Sequence, residues 1–519
     1  MLRRERRDGW RWDGSFRAGQ RTGLGTVGLL GTLLTSLGSP MLAASASPAD
    51  HPASHAAAKG PRSVLPFIED NFPRAQALAR DSGRLLVVDA WAPWCHTCLS
   101  MRNVVFPDPL LSPVADRFVY AAIDTELPQN SGFAERFVIR SLPTILVLDA
   151  AGQVVARFTG AMTAKELLAR LLDLLNQAPT AGPIRVDTLL QKADAAALAA
   201  DPQAAATLYE QAARTAASEA GPRSAAQRAR ARLGHVQALR EAAQYRACAE
   251  LADLSHDEVG REATATDFFS YGADCAGRLT DVDVQQRLRR QLRGHLEALV
   301  RDPNAALLPD DRSDGYGTLT ELAEALGDPT AAERYTLERL SVLEVAAAQA
   351  KDPVSAATYD AHRLECYRRL KRFAPAEAML LASQKAMPQD YNPPARLARL
   401  YLDMGKLDEG RAAIDRALSL AQGPRRVSMY ELRANLLHAL GRTQEAIDSL
   451  ESAIVLVTPK PGAPATLVRS AQIRIAQLRK SQDALRQVLV PQAAPAIAPV
   501  TATKKTRKTT RVASRGSAR

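Results

Sequence analysis

Apolar and polar positions follow two different patterns along this chain, and the change falls near residue 179. In the first part, the runs RLLVVDAWA (84–92) and FVYAAID (118–124) are short, rich in β-branched residues and bounded by turn residues. Such runs are typical of buried strands. FPRAQALARDSG (72–83) has helical spacing and ends in a glycine, so it predicts a helix that stops at Gly83.

A hairpin and a last helix complete the pattern of the first part. TILVLDA (144–150) and QVVARFTG (153–160) flank a short turn, which predicts two antiparallel strands. Thr163 followed by Glu166 is a capping-box pattern and predicts the start of an amphipathic helix. Strands and helices that alternate in this way predict an α/β layer.

The second part, residues 186–485, is rich in Ala, Leu, Arg and Glu at helical spacing. Segments 394–421 and 430–457 align with an offset of 36 positions, which brings Gly405 onto Gly441. This alignment resembles the tetratricopeptide repeat, in which each unit is a pair of antiparallel helices. The second part therefore predicts an all-α solenoid, and the groove of such a solenoid usually binds an extended peptide or protein. The number of repeats stays open.

The formal net charge of +11 is concentrated at the two ends of the chain. Residues 1–21 carry seven arginines against three acids, and residues 491–519 carry seven Lys or Arg and no acid. The body between them is neutral, so it lacks the positive surface on which nucleic-acid binding depends. No nucleic-acid partner is expected, and the tail 486–519 is predicted to be disordered.

Residues 22–46 form an uncharged, largely apolar segment between an arginine-rich start and a small-residue Ala-Ser-Ala site. This arrangement predicts that residues 1–46 are a secretory signal peptide. An uncleaved membrane anchor formed by residues 22–46 is the alternative, since the segment is long enough to span a bilayer. In both cases the remainder of the chain is expected to be exported.

The segment WAPWCHTC (91–98) places two of the five cysteines three positions apart at a predicted strand-to-helix junction. A thiol in the first turn of a helix lies near unpaired N–H groups and the positive end of the helix dipole, which favour the thiolate. Cys95 is therefore the candidate nucleophile, and Cys98 would attack the mixed disulfide that Cys95 forms. Asp89 lies on an otherwise apolar strand, where burial should raise its pKa and let it relay protons to the buried thiol.

Two other interpretations of the cysteine pair stay open from these residues alone, a metal site and a structural disulfide. Cys95, His96 and Cys98 are all ligand types, but adjacent side chains point apart and no second pair of ligands follows nearby, so no metal is predicted. A structural disulfide across so few residues would stabilise the fold little. Surface or packing roles, rather than ligand roles, are predicted for His235, His256, His362 and His438.

Pro143 lies in the segment SLPT, at the start of a predicted strand. A proline there removes a hydrogen bond from the sheet, and the preceding peptide bond can be cis. A cis bond would leave the backbone of Leu142 free to pair with an extended substrate.

Five segments together, DAWAPWCHTC, FPDP, AIDTE, SLPTILVLD and FTGAM, resemble the thioredoxin superfamily. Within it, the resemblance is closest to the C-terminal periplasmic thioredoxin domains of DsbD-type thiol:disulfide interchange proteins, and it covers about residues 64–178. The resemblance implies a periplasmic location and a thioredoxin-like enzyme that uses no cofactor.

The resemblance also implies a role for each matching residue. Cys95 is the attacking thiol, Cys98 the resolving thiol and Asp89 the buried proton relay. Trp94 packs over the site, and Pro143 is a cis-proline that faces the substrate.

Three departures from the family pattern affect the expected chemistry. His96 and Thr97 form an unusual dipeptide between the cysteines, and His96 would make the couple more oxidising if it stabilised the thiolate. Arg102, one helical turn after Cys98, is expected to lower the pKa of the thiols. The transmembrane domain that supplies electrons in DsbD is missing, so electrons are expected to come from another protein.

The remaining cysteines all fall in the second part. Cys248 and Cys275 lie on neighbouring predicted helices, and a structural disulfide between them is a hypothesis whose alternative is two buried thiols. Cys366 is left without a predicted partner.

The predicted fold class is an α/β thioredoxin-like domain followed by an all-α tetratricopeptide-like solenoid. The predicted boundaries are a signal peptide or anchor (1–46), a linker (47–63), the thioredoxin-like domain (64–178), a linker (179–185), the helical repeats (186–485) and a basic tail (486–519).

The expected function is that of an exported thiol:disulfide oxidoreductase that reduces or exchanges disulfides in envelope proteins through Cys95 and Cys98. Its expected partners are protein disulfide substrates, a redox protein that supplies or accepts electrons, and a peptide or protein in the groove of the repeats. The alternative is a non-catalytic scaffold that uses the thioredoxin fold for protein recognition.

Overall fold

The structure is a computed structural model that describes residues 62–139, 141–176, 186–219, 221–459 and 465–489. The predicted signal peptide (1–46), nearly all of the first linker, the second linker (179–185) and the tail from residue 490 lie outside these residues. Among the helices that are described, none combines the length and the apolar content that a membrane span requires.

A five-stranded mixed sheet forms the centre of the first domain. Its strands are β1 (Phe67–Glu69), β2 (Leu86–Trp91), β3 (Val119–Asp124), β4 (Thr144–Leu148) and β5 (Val154–Thr159). Their order across the sheet is β1-β3-β2-β4-β5. β3 is parallel to β1 and β2, whereas β4 is antiparallel to β2 and β5. The parallel strands β2 and β3 end together, with Trp91 opposite Asp124, so the segment that follows β2 lies at this edge of the sheet.

Helices cover both faces of the sheet. They are α1 (Phe72–Ser82), α2 (His96–Ser100), α3 (Ser131–Arg136) and α4 (Ala164–Leu175), and α2 continues into a π-helical turn (Met101–Val105). One core packs α1 and α3 against Val88 and Leu146, and the other packs the π-helical turn and α4 against Val87 and Ile145. The mixed sheet with helices on both faces confirms the predicted α/β domain.

Local sequence signals account for most of these boundaries. Gly83 adopts a left-handed conformation, with φ of 65°, and ends α1 as predicted. The capping box at the start of α4 is also present, because Thr163 N donates to Glu166 Oε2 at 2.7 Å and Glu166 N donates to Thr163 Oγ1 at 3.3 Å. β1 was not predicted, since three residues are too few to show an alternating pattern.

The second domain is a continuous array of helices. They are α5 (Val186–Leu198), α6 (Pro202–Ala217), α7 (Pro222–Glu241), α8 (Tyr245–Leu254), α9 (Ala263–Gly277), α10 (Val282–Arg301), α11 (Pro309–Ala325), α12 (Pro329–Gln349), α13 (Pro353–Ala357), α14 (Asp360–Arg369), α15 (Phe373–Ala386), α16 (Asn392–Met404), α17 (Leu407–Leu420), α18 (Arg426–Ala439), α19 (Thr443–Val457) and α20 (Ala465–Leu489).

The repeat pattern seen in the sequence corresponds to helix pairs. Gly405 and Gly441, which align at the 36-residue offset, have φ of 73° and 77° and follow α16 and α18, the first helices of two pairs. The aligned Ala398 and Ala434 are buried, so the small side chains let neighbouring helices approach closely. The predicted all-α solenoid is confirmed.

The solenoid contains three cysteines in two chemical states. Cys248 on α8 and Cys275 on α9 form a disulfide, which confirms the sequence hypothesis. Cys366 on α14 is the one free cysteine of the described residues, and it is buried. Burial raises the pKa of the Cys366 thiol to about 11.

The Cys248–Cys275 disulfide is predicted to stabilise the solenoid. The two cysteines are separated by 27 residues, and closing a loop of this length restricts the unfolded chain by about 3 kcal/mol. We therefore expect Cys248→Ala with Cys275→Ala to lower the free energy of unfolding by about that amount. The measurement is denaturant unfolding, with Cys95→Ser and Cys98→Ser present in both proteins.

Dithiothreitol is the control for this experiment. It should shift the unfolding of the protein that retains Cys248 and Cys275 and leave the double alanine variant unchanged. Equal stability of the two proteins under non-reducing conditions would contradict the prediction.

Candidate active site

Cys95 lies at the first turn of a helix, as the sequence predicts. It is the N-cap of α2, and its Sγ accepts a hydrogen bond from Cys98 N at 3.1 Å. Cys95 and Cys98 form a disulfide, so the structure represents the oxidised form. Cys98 is fully buried and Cys95 is 6% exposed. Of the two sulfurs, Cys95 is therefore the one that a substrate could reach, and the N–H groups of α2 would stabilise its thiolate.

Asp89 is a buried carboxyl group on β2, the strand that leads to the cysteine pair. It is 1% exposed, and neither of its oxygens has a hydrogen-bond partner within the described residues. Its nearest cation is Arg102, whose Nη1 lies 3.7 Å from Asp89 Oδ2. Burial raises the pKa of Asp89 to about 7, although Arg102 opposes the shift. A carboxyl group with this pKa can accept and return a proton near neutral pH, as a relay requires.

Trp94, Leu142 and Pro143 lie around the cysteine pair. Trp94 and Leu142 pack against Cys95 and Cys98 in one small apolar cluster. The Leu142-Pro143 peptide bond is cis. The structure thus brings Trp94 and Leu142 together with the two cysteines, and Pro143 follows Leu142 in the chain. The individual roles of these residues and of Asp89 stay predictions.

Arg102 has a different environment from the one expected. Besides Asp89, its guanidinium contacts Glu69, with Nη2 2.9 Å from Oε1, and it lies 4.1 Å from the centroid of the Trp91 ring. Its charge therefore acts directly on the proton-relay candidate Asp89. The expected lowering of the thiol pKa by Arg102 stays a prediction.

The solenoid packs directly on the face of the first domain that carries the cysteines. Asn392 Nδ2 donates to the carbonyl oxygen of Pro93 at 3.1 Å, and the Trp94 ring packs against the solenoid core. Glu126 joins the two domains, because it accepts from Trp94 Nε1 at 2.9 Å and from Arg425 N at 2.8 Å. Burial raises the pKa of Glu126, whereas these hydrogen bonds lower it.

A close backbone contact strengthens this interface. Gly423 has φ of 67°, and a Cβ atom on it would lie 2.1 Å from the carbonyl oxygen of Glu126. Only a residue without a side chain permits the loop between α17 and α18 to approach the first domain so closely.

A small cavity remains between the Leu142 loop and the solenoid helices α9 and α11. Its volume is about 120 Å³, and Thr97, Gly160 and Asp267 are among its lining residues. A cavity of ~150 Å³ holds one benzene-sized ligand. This cavity is therefore too small for an extended protein segment, and Cys95 itself is only 6% exposed.

His96, between the two cysteines, contacts the solenoid rather than either thiol. Its Nδ1 lies 3.0 Å from Asp310 Oδ2, and its ring centroid lies 3.9 Å from that of His362. Burial disfavours charge on His96, but Asp310 and Asp314 outweigh this effect and raise its pKa to about 9. Burial, together with the charge of His96, holds the pKa of His362 well below its usual range.

Several residues of this interface were missed by sequence reasoning. His362 is buried and packs on the ring of His96, which fits the predicted packing role, but the sequence does not indicate that it lies opposite the redox motif. His96, Asp314 and His362 also meet here as three potential ligands, where the sequence predicts no metal. The acidic run PDDRSD (309–314) was the available signal for the solenoid side. Glu126 and Arg425 have no sequence signal, because their contact exists only after the two domains pack.

This fold and the paired cysteines define a thiol:disulfide oxidoreductase domain of the thioredoxin type. The thioredoxin-like domain family matches residues 72–175, and the tetratricopeptide repeat family matches residues 396–464. A thioredoxin from Chlorobaculum thiosulfatiphilum is 33% identical over 109 residues, which are 21% of this chain and 94% of that protein. The chain belongs to the thioredoxin family, with tetratricopeptide repeats fused to its thioredoxin domain.

Two further similarities cover only parts of the proteins compared. The thiol:disulfide interchange protein DsbD of Pseudoalteromonas atlantica is 32% identical over 127 residues, which are 24% of this chain and 22% of DsbD. The crystal structure of a tetratricopeptide repeat protein from Parabacteroides merdae is 15% identical, with a TM-score of 0.34, and covers 55% of this chain and 98% of that one. The chain thus spans less than a quarter of the DsbD relative it matches.

The raised pKa of Asp89 predicts a pH-dependent stability. The folded protein holds this proton up to about pH 7, whereas an unfolded chain releases it near pH 4. The wild-type protein should therefore lose stability between about pH 4 and pH 7. Asp89→Asn should be more stable than the wild type by about 4 kcal/mol at pH 8, and the two should converge near pH 4. Denaturant unfolding across this pH range measures the difference.

The exposed Asp81, on α1, provides the matched control. Asp81→Asn should retain the pH dependence of the wild type. Burial also raises the pKa of Asp124 to about 7. Part of the change in unfolding free energy with pH should therefore remain in every variant. A pH dependence of Asp89→Asn equal to that of the wild type would contradict the predicted pKa.

Proposed function

We propose that this protein is an exported thiol:disulfide oxidoreductase that reduces or exchanges disulfides in proteins of the cell envelope. The observation that carries the proposal is Cys95 at the N-cap of α2, paired with Cys98 and packed against Leu142. The DsbD-type relative supports the direction of reduction. The apolar segment 22–46 and its flanks support export.

The reaction consists of two exchanges and one regeneration step. In the reduced enzyme the Cys95 thiolate attacks one sulfur of a substrate disulfide, forms a mixed disulfide and releases the other substrate sulfur as a thiolate. Cys98 then loses its proton to Asp89 and attacks Cys95 Sγ, so that the substrate leaves as a dithiol and the Cys95–Cys98 disulfide remains. A dithiol of a redox partner protein reduces this disulfide by the same chemistry and is itself oxidised.

The solenoid would hold the substrate or the redox partner near Cys95. Its α9 and α11 lie across the small cavity from the Leu142 loop, so a protein bound there would reach the cis-proline side of the site. Because the same helices leave too little room for an extended segment, we propose that substrate binding separates the solenoid from the active-site face.

Substitution of the cysteines tests the proposed reaction. Cys95→Ser should reduce the rate of insulin disulfide reduction, with dithiothreitol as the electron source, to the rate without enzyme. Cys98→Ser should instead accumulate a mixed disulfide with its substrate, because the resolving thiol is absent. The measurements are insulin turbidity and mass spectrometry of non-reduced peptides. Cys366→Ser is not needed in these proteins, since Cys366 is buried.

A wild-type rate no higher than that of Cys95→Ser would contradict the enzymatic proposal. The second candidate, a repeat scaffold that uses the thioredoxin fold for recognition, would then be favoured. One observation supports that candidate: Cys95 is only 6% exposed beneath the packed solenoid. The enzyme and the scaffold therefore differ in whether the interface between the first domain and the solenoid opens to expose Cys95.

Gly423→Ala tests whether the interface restricts access to Cys95. The new Cβ would lie 2.1 Å from the Glu126 carbonyl oxygen, so the loop must withdraw from the first domain. Alkylation of Cys95 in the reduced protein should become severalfold faster, and insulin reduction should become faster with it. Mass spectrometry of the peptide that contains Cys95 measures the alkylation rate.

Gly405→Ala is the matched control for this substitution. Gly405 also has a positive φ, of 73°, but a Cβ atom on it would meet nothing within 4 Å. Both variants thus carry the backbone strain of alanine in this conformation, about 1 kcal/mol, and only one disturbs the interface. Equal alkylation rates in the two variants would show that the interface does not limit access.

A further inference from the structure

Four side chains from the two domains, one of them His96, lie close together at the interface. His96 begins α2 of the first domain, whereas Asp310 and Asp314 lie on α11 and His362 lies on α14 of the solenoid. His362 Nε2 is 3.5 Å from Asp314 Oδ1, and His96 Nε2 is 4.0 Å from the same oxygen. One ligand atom from each of His96, Asp314 and His362 lies within 4.8 Å of the other two.

The remaining nitrogen of each imidazole ring is held by an outer partner. His96 Nδ1 is 3.0 Å from Asp310 Oδ2, and His362 Nδ1 is 2.8 Å from Ser313 Oγ. With protons on both Nδ1 atoms, the two Nε2 atoms are left with lone pairs on the side of Asp314. Metal-binding histidines usually show this arrangement, in which a carboxylate or another acceptor orients the ring from behind.

Asp310 is a buried carboxylate on the Nδ1 side of both rings, opposite the Nε2 atoms that would bind an ion. It is 1% exposed, and its Oδ1 has no hydrogen-bond partner in the described part of the chain. His362 Nδ1 lies 3.7 Å away from this oxygen. Arg339 is the cation next to the cluster, but its Nε donates to Ser313 at 3.0 Å and its Nη1 to Glu365 at 2.9 Å. Asp310 is therefore not a ligand, but its buried carboxylate orients the ring of His96 and favours a positive charge nearby.

We propose that His96, Asp314 and His362 bind one divalent transition-metal ion of the zinc class, which joins the redox motif to the solenoid. Two imidazoles with one carboxylate are the ligand types that favour zinc over magnesium or calcium. Tetrahedral ligands about 2.0–2.1 Å from zinc are separated from one another by roughly 3.4 Å. The two separations to Asp314 Oδ1 are 3.5 and 4.0 Å, and all three ligand atoms lie within 4.8 Å of one another, so the side chains must close in by up to about 1.4 Å to bind the ion.

The bound ion would hold the two domains in the closed arrangement. One ligand comes from the dipeptide between the cysteines and two come from the solenoid, so the domains cannot separate there without losing at least one ligand. Removal of the metal should therefore make Cys95 more accessible. This consequence rests on the proposed function, whereas metal binding itself does not.

The experiment measures metal binding to the full chain in which Cys95→Ser and Cys98→Ser remove the reactive thiols as ligands. The protein is stripped with a chelator and titrated with Co²⁺, and Zn²⁺ is then added in competition. We expect one ion per chain, the visible absorption of tetrahedral Co²⁺, and its loss when Zn²⁺ displaces it. Asp314→Asn and His362→Gln should each weaken binding by about tenfold or more.

His295→Gln is the matched control, because His295 belongs to a similar set of residues inside the solenoid. Its Nε2 is 3.1 Å from Asp253 Oδ1, and its ring stacks on that of His256 at 3.8 Å. This variant should bind Co²⁺ as tightly as the parent protein. His96→Gln tests the site from the first domain, so a folding defect of the solenoid variants would not leave the proposal untested.

Three results would overturn the proposal. The first is the absence of stoichiometric Co²⁺ binding, which would make the cluster a hydrogen-bonded bridge between the domains. The second is equal affinity in the parent, Asp314→Asn and His96→Gln proteins. The third is loss of binding in His295→Gln alone, which would move the ion to the other histidine pair. None of these results depends on insulin reduction.

Discussion

The hydrogen bond from the Cys98 amide to Cys95 Sγ is the interaction on which the active site depends. It places the outer sulfur at the start of α2, where the amide groups of the first turn stabilise negative charge. β2 leads the chain to this point and also carries Asp89 into the interior. One strand and one helical turn thus determine the positions of Cys95, of Cys98 and of the proton-relay candidate Asp89.

The contact between the domains follows from the same position. The segment that presents Cys95 also presents Pro93, Trp94 and His96, and each of these residues contacts the solenoid. The repeats therefore lie on the surface that a substrate would occupy, and not on a remote face of the domain. Under the proposed function, access to Cys95, which is 6% exposed, would depend on the state of this interface.

Local sequence patterns predict the strands and helices that carry the cysteine pair. They do not predict contacts between residues that are far apart in the sequence. The strand before Cys95, the capping box at Thr163 and the helix end at Gly83 depend on residues a few positions apart, so the sequence alone reveals them. The three-residue β1 exists only because β3 lies beside it. His96 and Asp310 are 214 positions apart, and Pro93 and Asn392 are 299 apart. No periodicity connects positions that a tertiary interface brings together, which is why the sequence does not indicate that His362 lies opposite the redox motif.

The burial of Cys366 has a consequence for a protein that exchanges disulfides. An odd number of cysteines leaves one thiol without a partner. Such a thiol could attack the disulfide of a neighbouring copy, or it could attack a mixed disulfide of Cys95 in place of Cys98. Cys366 lies in the solenoid core, and burial raises its pKa to about 11, so almost none of it is ionised at neutral pH. The fold therefore keeps Cys366 from reacting with the Cys95–Cys98 pair. This protection would be lost if the helices that pack around α14 separated and exposed the thiol.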